Sequence, residues 1–103
     1  MSDFVRVGTV AEFRRGHGRA VVVDGVRVAV FRTSAGFVAV GDRCAHMGAS
    51  LADGRLDGDR VECSWHAWAY DVRTGRCDRK SWASVPVYDV KVEGDAVFLR
   101  PRP

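Results

Sequence analysis

Ala20-Val21-Val22-Val23-Asp24-Gly25-Val26-Arg27-Val28-Ala29-Val30-Phe31 decides the fold. Two runs rich in β-branched residues flank Asp-Gly, a dipeptide that tolerates the positive φ angles of a two-residue hairpin turn, so the stretch predicts a tight antiparallel hairpin. Outward from it, Thr33-Ser34-Ala35-Gly36 separates Val26 to Arg32 from a third strand at Phe37 to Val40. Upstream, Phe4 to Val7 reads as an opening strand. Thr9-Val10-Ala11-Glu12 has the S/T-x-x-E form of a capping box and predicts one short helical turn. Arg14 to Arg19 is a surface loop. Downstream, Asp53-Gly54 and Asp57-Gly58 punctuate short strands, and Arg60-Val61-Glu62 leads into Cys63. Ala69 to Val72 and Arg76 to Asp78 read as a short hairpin around Arg73-Thr74-Gly75. Val85 to Val92 and Ala96 to Leu99 read as a closing hairpin through Glu93-Gly94-Asp95, rejoining the base sheet. Eight or nine short strands at this spacing make the chain all-β, an antiparallel sandwich or partly closed barrel, over any α/β plan.

A chain of 103 residues is expected to form one domain, 1–103, that buries about two-thirds of the surface its unfolded chain exposes. Composition is that of an ordinary globular protein, 47% hydrophobic and 28% charged, with no low-complexity run and no solenoid repeat. Met1-Ser2-Asp3-Phe4-Val5-Arg6 lacks the basic and apolar regions of a signal peptide, and no apolar run reaches membrane-spanning length. The expected location is therefore the cytoplasm, with no membrane partner. The net charge of +3 and pI near 9.1 raise nucleic acid as a partner. The sixteen basic residues are dispersed among thirteen acidic ones, with aromatics at strand and loop positions, so no nucleic acid is expected.

Chemistry concentrates in two short segments. Cys44-Ala45-His46 is followed after sixteen residues by Cys63-Ser64-Trp65-His66. Each supplies one thiolate and one imidazole, and each hangs from a predicted strand end, so folding them together offers two sulfur and two nitrogen ligands to metal. A closed tetrahedral zinc site would use the same four side chains as a structural staple. Zinc modules, however, usually pair Cys with Cys and His with His, whereas each segment here mixes the two. A [2Fe-2S] centre held by two cysteines on one iron and two histidines on the other takes this ligand set directly. Because metal affinity couples to folding, protein without its metal is expected to be fragile.

From Cys44 to Gly75 the chain resembles the Rieske family, with its C-x-H, spacer and C-x-x-H. The matches include His46-Met47-Gly48, the block Trp65-His66-Ala67-Trp68-Ala69-Tyr70-Asp71, and the turn at Thr74-Gly75. The resemblance implies one [2Fe-2S] cluster per chain, with Cys44 and Cys63 on the inner iron and His46 and His66 on the outer. It also implies a cluster-binding insertion at about 42–84 in the β domain. Ala67 stands where the family usually has glycine, a departure that concerns backbone geometry. Respiratory relatives carry a disulfide across the cluster, and the aligned positions here are Ala49 and Trp65. They also carry a serine and a tyrosine that donate toward the cluster, at the positions of Trp68 and Tyr70, so one of the two donors is kept. These differences resemble the soluble ferredoxin branch. Met47, Trp65 and Trp68 are expected to shield the cluster, and Ser81 to Pro86 resembles a third loop that lids it. Trp82 is assigned to core packing.

What the resemblance implies for function is a one-electron carrier and not an enzyme. It would take electrons from an NAD(P)H-dependent flavoprotein reductase and pass them to a terminal non-haem iron oxygenase, often in a dioxygenase system. A monomer is expected. The alternative is the small subunit of an assimilatory NAD(P)H nitrite reductase, and a more distant one is a zinc-stapled interaction module. His17 is expected to be solvated, and Cys77 a small buried or half-buried strand residue over a redox thiol. Arg73, Arg76, Arg79 and Lys80 form a local basic run beside the second ligand segment. It reads either as a solvated hairpin face or as a docking surface for an acidic redox partner.

Overall fold

The structure, a computed structural model, describes residues 4–44, 48–64, 68–80 and 82–102. Among the described residues nine strands run β1 (Val5–Thr9), β2 (Gly18–Val23), β3 (Val26–Thr33), β4 (Gly36–Gly41), β5 (Arg55–Asp57), β6 (Arg60–Glu62), β7 (Ala69–Asp71), β8 (Val87–Glu93) and β9 (Ala96–Pro101). Two 3₁₀ turns, Val10–Glu12 and Leu51–Asp53, complete the regular structure of the described residues. Six strands form one antiparallel sheet in the order β1-β9-β8-β4-β3-β2, and β5-β6-β7 form a small second sheet. The two ends of the larger sheet, β1 and β2, come back into contact, so it nearly closes on itself. This is the partly closed form of the all-β expectation.

The Asp-Gly turn sets the register. Asp24 and Gly25 both take positive φ, 51° and 80°, and Val23 pairs with Val26. Alternation along β3 then feeds two separate cores, because successive side chains point to opposite faces. Val28 and Val30 face the barrel interior with Phe13, Ala39, Tyr88, Val97 and Leu99. Ala29 and Phe31 face the other way, into a core shared with Leu51, Val61, Tyr70, Val72, Cys44 and Cys63. Each fully buried Val, Leu or Phe is worth about 1.5–3 kcal/mol in removal from water, so this second core welds the small sheet to the large one.

Some elements follow the sequence reading and others depart from it. The opening strand runs to Thr9, with a register shift between Arg6 and Gly8. The helical turn forms where the capping box places it, with the Glu12 carboxylate accepting from the Thr9 N–H at 2.7 Å. That bond is the chief reason the Glu12 carboxyl sits below its ordinary pKa. Arg76 to Asp78 folds back on β7 as the hairpin reading expects, with the Asp71 N–H donating to the Arg76 carbonyl and the Asp78 N–H to the Ala69 carbonyl, both at 2.9 Å, but the pairing is one bridge long, Tyr70 with Cys77, and Arg76 bridges Ser84 instead of extending it. Among the described residues no helix is long and apolar enough to cross a membrane.

Candidate metal centre

Both cysteines of the paired segments are buried in the core that joins the two sheets, Cys44 1% and Cys63 3% exposed. The first segment leaves β4 and returns to the 3₁₀ turn at Leu51. Its ring is closed by the Cys44 N–H donating to the Ala49 carbonyl and the Gly48 N–H donating to the Cys44 carbonyl, both at 2.8 Å. Gly48 takes φ +72°, the left-handed conformation that lets the chain reverse so tightly. The second segment joins β6 to β7 and is closed in the same manner, by the Cys63 N–H donating to the Trp68 carbonyl at 2.7 Å. Two pinched loops thus start from buried cysteines at adjoining ends of the two sheets.

His46 and His66 lie outside the described residues, as do Met47 and Trp65. Among the described site groups, Tyr70 is fully buried and its hydroxyl stands 3.3 Å from the Cys44 sulfur. That places the tyrosine donor beside a candidate ligand, as the resemblance implied. None of the three cysteines is disulfide-bonded, and Cys77 is buried at its bridge to Tyr70. His17 is exposed.

Trp82 corrects the sequence reading. It is 70% exposed and not a core residue; its ring meets Trp68 edge-on at 6.1 Å between centroids. The neighbouring Ala83 and Val85 supply the burial of that segment instead, so the tryptophan is left at the rim. Sequence reasoning also passed over Asp42, the one buried charged side chain among the described residues. An acidic residue directly after a strand and ahead of a loop is the available signal, since aspartate caps turns through its side chain.

Buried sulfurs in a largely apolar core, with a hydroxyl in hydrogen-bond reach of one of them, suit thiolates that carry charge to a metal. A hydrogen bond to sulfur and a low dielectric are the levers that set an iron–sulfur potential. The described residues therefore fit the cysteine half of the proposed ligand set.

The chain matches the Rieske [2Fe-2S] domain over residues 3–89. It is similar to the biphenyl dioxygenase ferredoxin subunit of Pseudomonas sp. (strain KKS102), 36% identical over 98 residues covering 93% of this chain and 90% of that protein. Among solved structures it is similar to the ferredoxin of carbazole 1,9a-dioxygenase from Nocardioides aromaticivorans IC177, with a TM-score of 0.88 and 32% identity over 96% of this chain and 98% of that one. A structure assigned as the small subunit of an NADH-dependent nitrite reductase from Mycobacterium tuberculosis superposes with a TM-score of 0.91 over 100% of this chain and 98% of that one; its 23% identity makes this a likeness of fold. The family match selects iron–sulfur chemistry over zinc, and with the buried cysteines and the β architecture it identifies the chain as a member of the Rieske family that carries one [2Fe-2S] cluster.

Proposed function

We infer that this protein is a one-electron carrier that receives electrons from an NAD(P)H-dependent flavoprotein reductase and passes them to a terminal non-haem iron oxygenase. Cys44 and Cys63 would hold one iron and His46 and His66 the other, in one domain over residues 1–103 whose cluster-carrying part is about 42–84. The cluster supplies reversible one-electron chemistry. The protein's own residues bury the thiolates, place the Tyr70 hydroxyl to donate to one of them and tie the ends of both segments with backbone hydrogen bonds. The observation that carries this reading is the near end-to-end likeness to a dioxygenase ferredoxin subunit, and relatives named as ferredoxin components are electron carriers and not catalysts. A cytoplasmic monomer fits the same reading.

The nitrite reductase small subunit remains the second reading, supported by the fold likeness. Anaerobic purification with iron and sulfide analysis, an electron paramagnetic resonance spectrum of the reduced form, and stopped-flow reduction by a flavoprotein reductase test the proposal. Two irons per chain and rapid one-electron reduction are expected. A chain that takes no electron from such a reductase, yet binds and activates a nitrite reductase large subunit, would favour the second reading.

A further inference from the structure

Asp42 is 3% exposed, and three donors converge on its carboxylate. Oδ1 accepts from the Ser50 hydroxyl and from the Ala52 N–H, each at 2.9 Å, and Oδ2 accepts from Arg27 Nε–H at 3.2 Å. The Asp42 carbonyl accepts from the Leu51 N–H at 2.6 Å, and its own N–H donates to the Arg27 carbonyl at 3.2 Å. One residue thus gathers three consecutive residues, 50–52, which end the first ligand loop, and ties them to the strand from which the loop departs. The smaller ring closed by Cys44, Gly48 and Ala49 sits inside this larger one. The second loop has a looser counterpart: Asp78 accepts from the Ala69 N–H at 3.3 Å and pairs with Arg60, but is exposed to water.

Burying a carboxylate costs desolvation that an ion pair seldom recovers, least of all when the arginine, like Arg27 here, is mostly in water. Stability alone therefore accounts poorly for Asp42. We propose that Asp42 is the positioning residue of the first ligand loop, holding the Cys44 sulfur within reach of the Tyr70 hydroxyl. Without the carboxylate, the buried Ala52 N–H loses its acceptor, the loop end relaxes from β4, and the 3.3 Å contact at Cys44 lengthens. The inference rests on Cys44 being a cluster ligand, as argued under the proposed function.

The test compares Asp42→Ala with Asp42→Asn in the cluster-loaded protein by protein-film voltammetry. Both variants delete the charge, so the field of the carboxylate cancels between them; only asparagine keeps an oxygen for Ser50 and Ala52. The alanine variant is expected to have the lower midpoint potential, and that difference is expected to vanish when both are placed in a Tyr70→Phe background, because the lost contact is the same one. Equal potentials in the two variants, or a difference that persists without the tyrosine hydroxyl, would overturn the proposal. If Asp42→Ala does not retain its cluster, Ser50→Ala carries the comparison, since it removes one donor and leaves the carboxylate. Its potential should fall below that of the unaltered protein only when Tyr70 is present, and an unchanged potential overturns the idea. Failure of the ligation reading looks different: Cys44→Ser would then keep the full iron content and spectrum.

Discussion

The Tyr70 hydroxyl and the Cys44 sulfur, 3.3 Å apart, share the core that joins the two sheets. Reduction adds negative charge to the cluster, so a hydroxyl donated to a ligand thiolate stabilises the reduced form more than the oxidised one. Tyr70→Phe is therefore expected to lower the midpoint potential. A differential stabilisation of about 1 kcal/mol corresponds to tens of millivolts, given roughly 59 mV per tenfold change for one electron. The starting value should lie in the lower half of the range of about −150 to +300 mV for such centres, because neither the disulfide nor the second hydroxyl donor of the respiratory relatives is present. Voltammetry of the pair at fixed pH reads the direction.

Ligation is tested by exchange of donor type. Cys44→Ser and Cys63→Ser should abolish the cluster or nearly so, whereas His46→Cys and His66→Cys should remove the mixed-ligand resonance signature. Cluster-free protein should also unfold at lower temperature, since metal binding favours the folded state. His17→Ala should leave iron content and spectrum unchanged. Bleaching by that substitution, together with colour retained in His66→Ala, would reassign the ligands.

Much of the fold was legible because its signals are local. Asp24-Gly25 states a turn type, and the turn fixes the register of β2 on β3. The capping box at Thr9 and Glu12 is likewise complete within four residues. What escaped reading depends on neighbours distant in sequence. Leu51 is fully buried and opens a 3₁₀ turn where Asp42 gathers residues 50–52, a relation across the loop that no period reveals. Trp82 looks like core by residue type; the apolar demand of its segment is met by Ala83 and Val85, which leaves the indole outside. Arg76 to Asp78 pairs back on β7 as its spacing suggests, but only through the Tyr70–Cys77 bridge, and the second bridge from Arg76 to Ser84, on a different segment, is not readable from local spacing. The cysteine half of the site is described; His46 and His66 rest on the motif.

Gly75 and Gly58 differ in a way that predicts unequal costs. Both take positive φ, +79° and +60°. A Cβ on Gly75 would fall 2.1 Å from the Val85 carbonyl oxygen, at the point where the Val85 N–H donates to the Gly75 carbonyl at 2.8 Å. On Gly58 it would meet nothing within 4 Å. Gly58→Ala should therefore cost only the left-handed strain, about 1 kcal/mol. Gly75→Ala adds a backbone clash and should cost about 2 kcal/mol or more. With about 4–8 °C per kcal/mol for a domain of this size, thermal melts should rank the two, and equal melting temperatures would mean that the Gly75 turn yields without penalty.

Arg73 belongs to the basic run in sequence, but its guanidinium bonds Asp71 at 3.1 and 3.3 Å and pairs with Asp59 at 3.5 Å. The Arg73 side-chain hydrogen bonds are the main reason the Asp71 carboxyl sits below its ordinary range, so this cation is already compensated. Arg76, Arg79 and Lys80 are exposed, and among the described residues no acidic side chain pairs with them. With Trp82, exposed and close by in sequence, they supply the residue types that steer and then hold an acidic partner. Reversing Arg76, Arg79 and Lys80 to glutamate should slow electron transfer to a physiological partner by about tenfold or more at low salt and flatten its salt dependence. Screening over a Debye length of about 10 Å at 0.1 M salt should shrink the difference as salt rises. Trp82→Ala should weaken the complex at all salt concentrations, because its contribution is apolar, and Arg73→Gln should leave the salt dependence nearly intact. Stopped-flow rates across an ionic-strength series separate these outcomes, and a triple variant as fast as the unaltered protein at low salt would return the three cations to an ordinary solvated face.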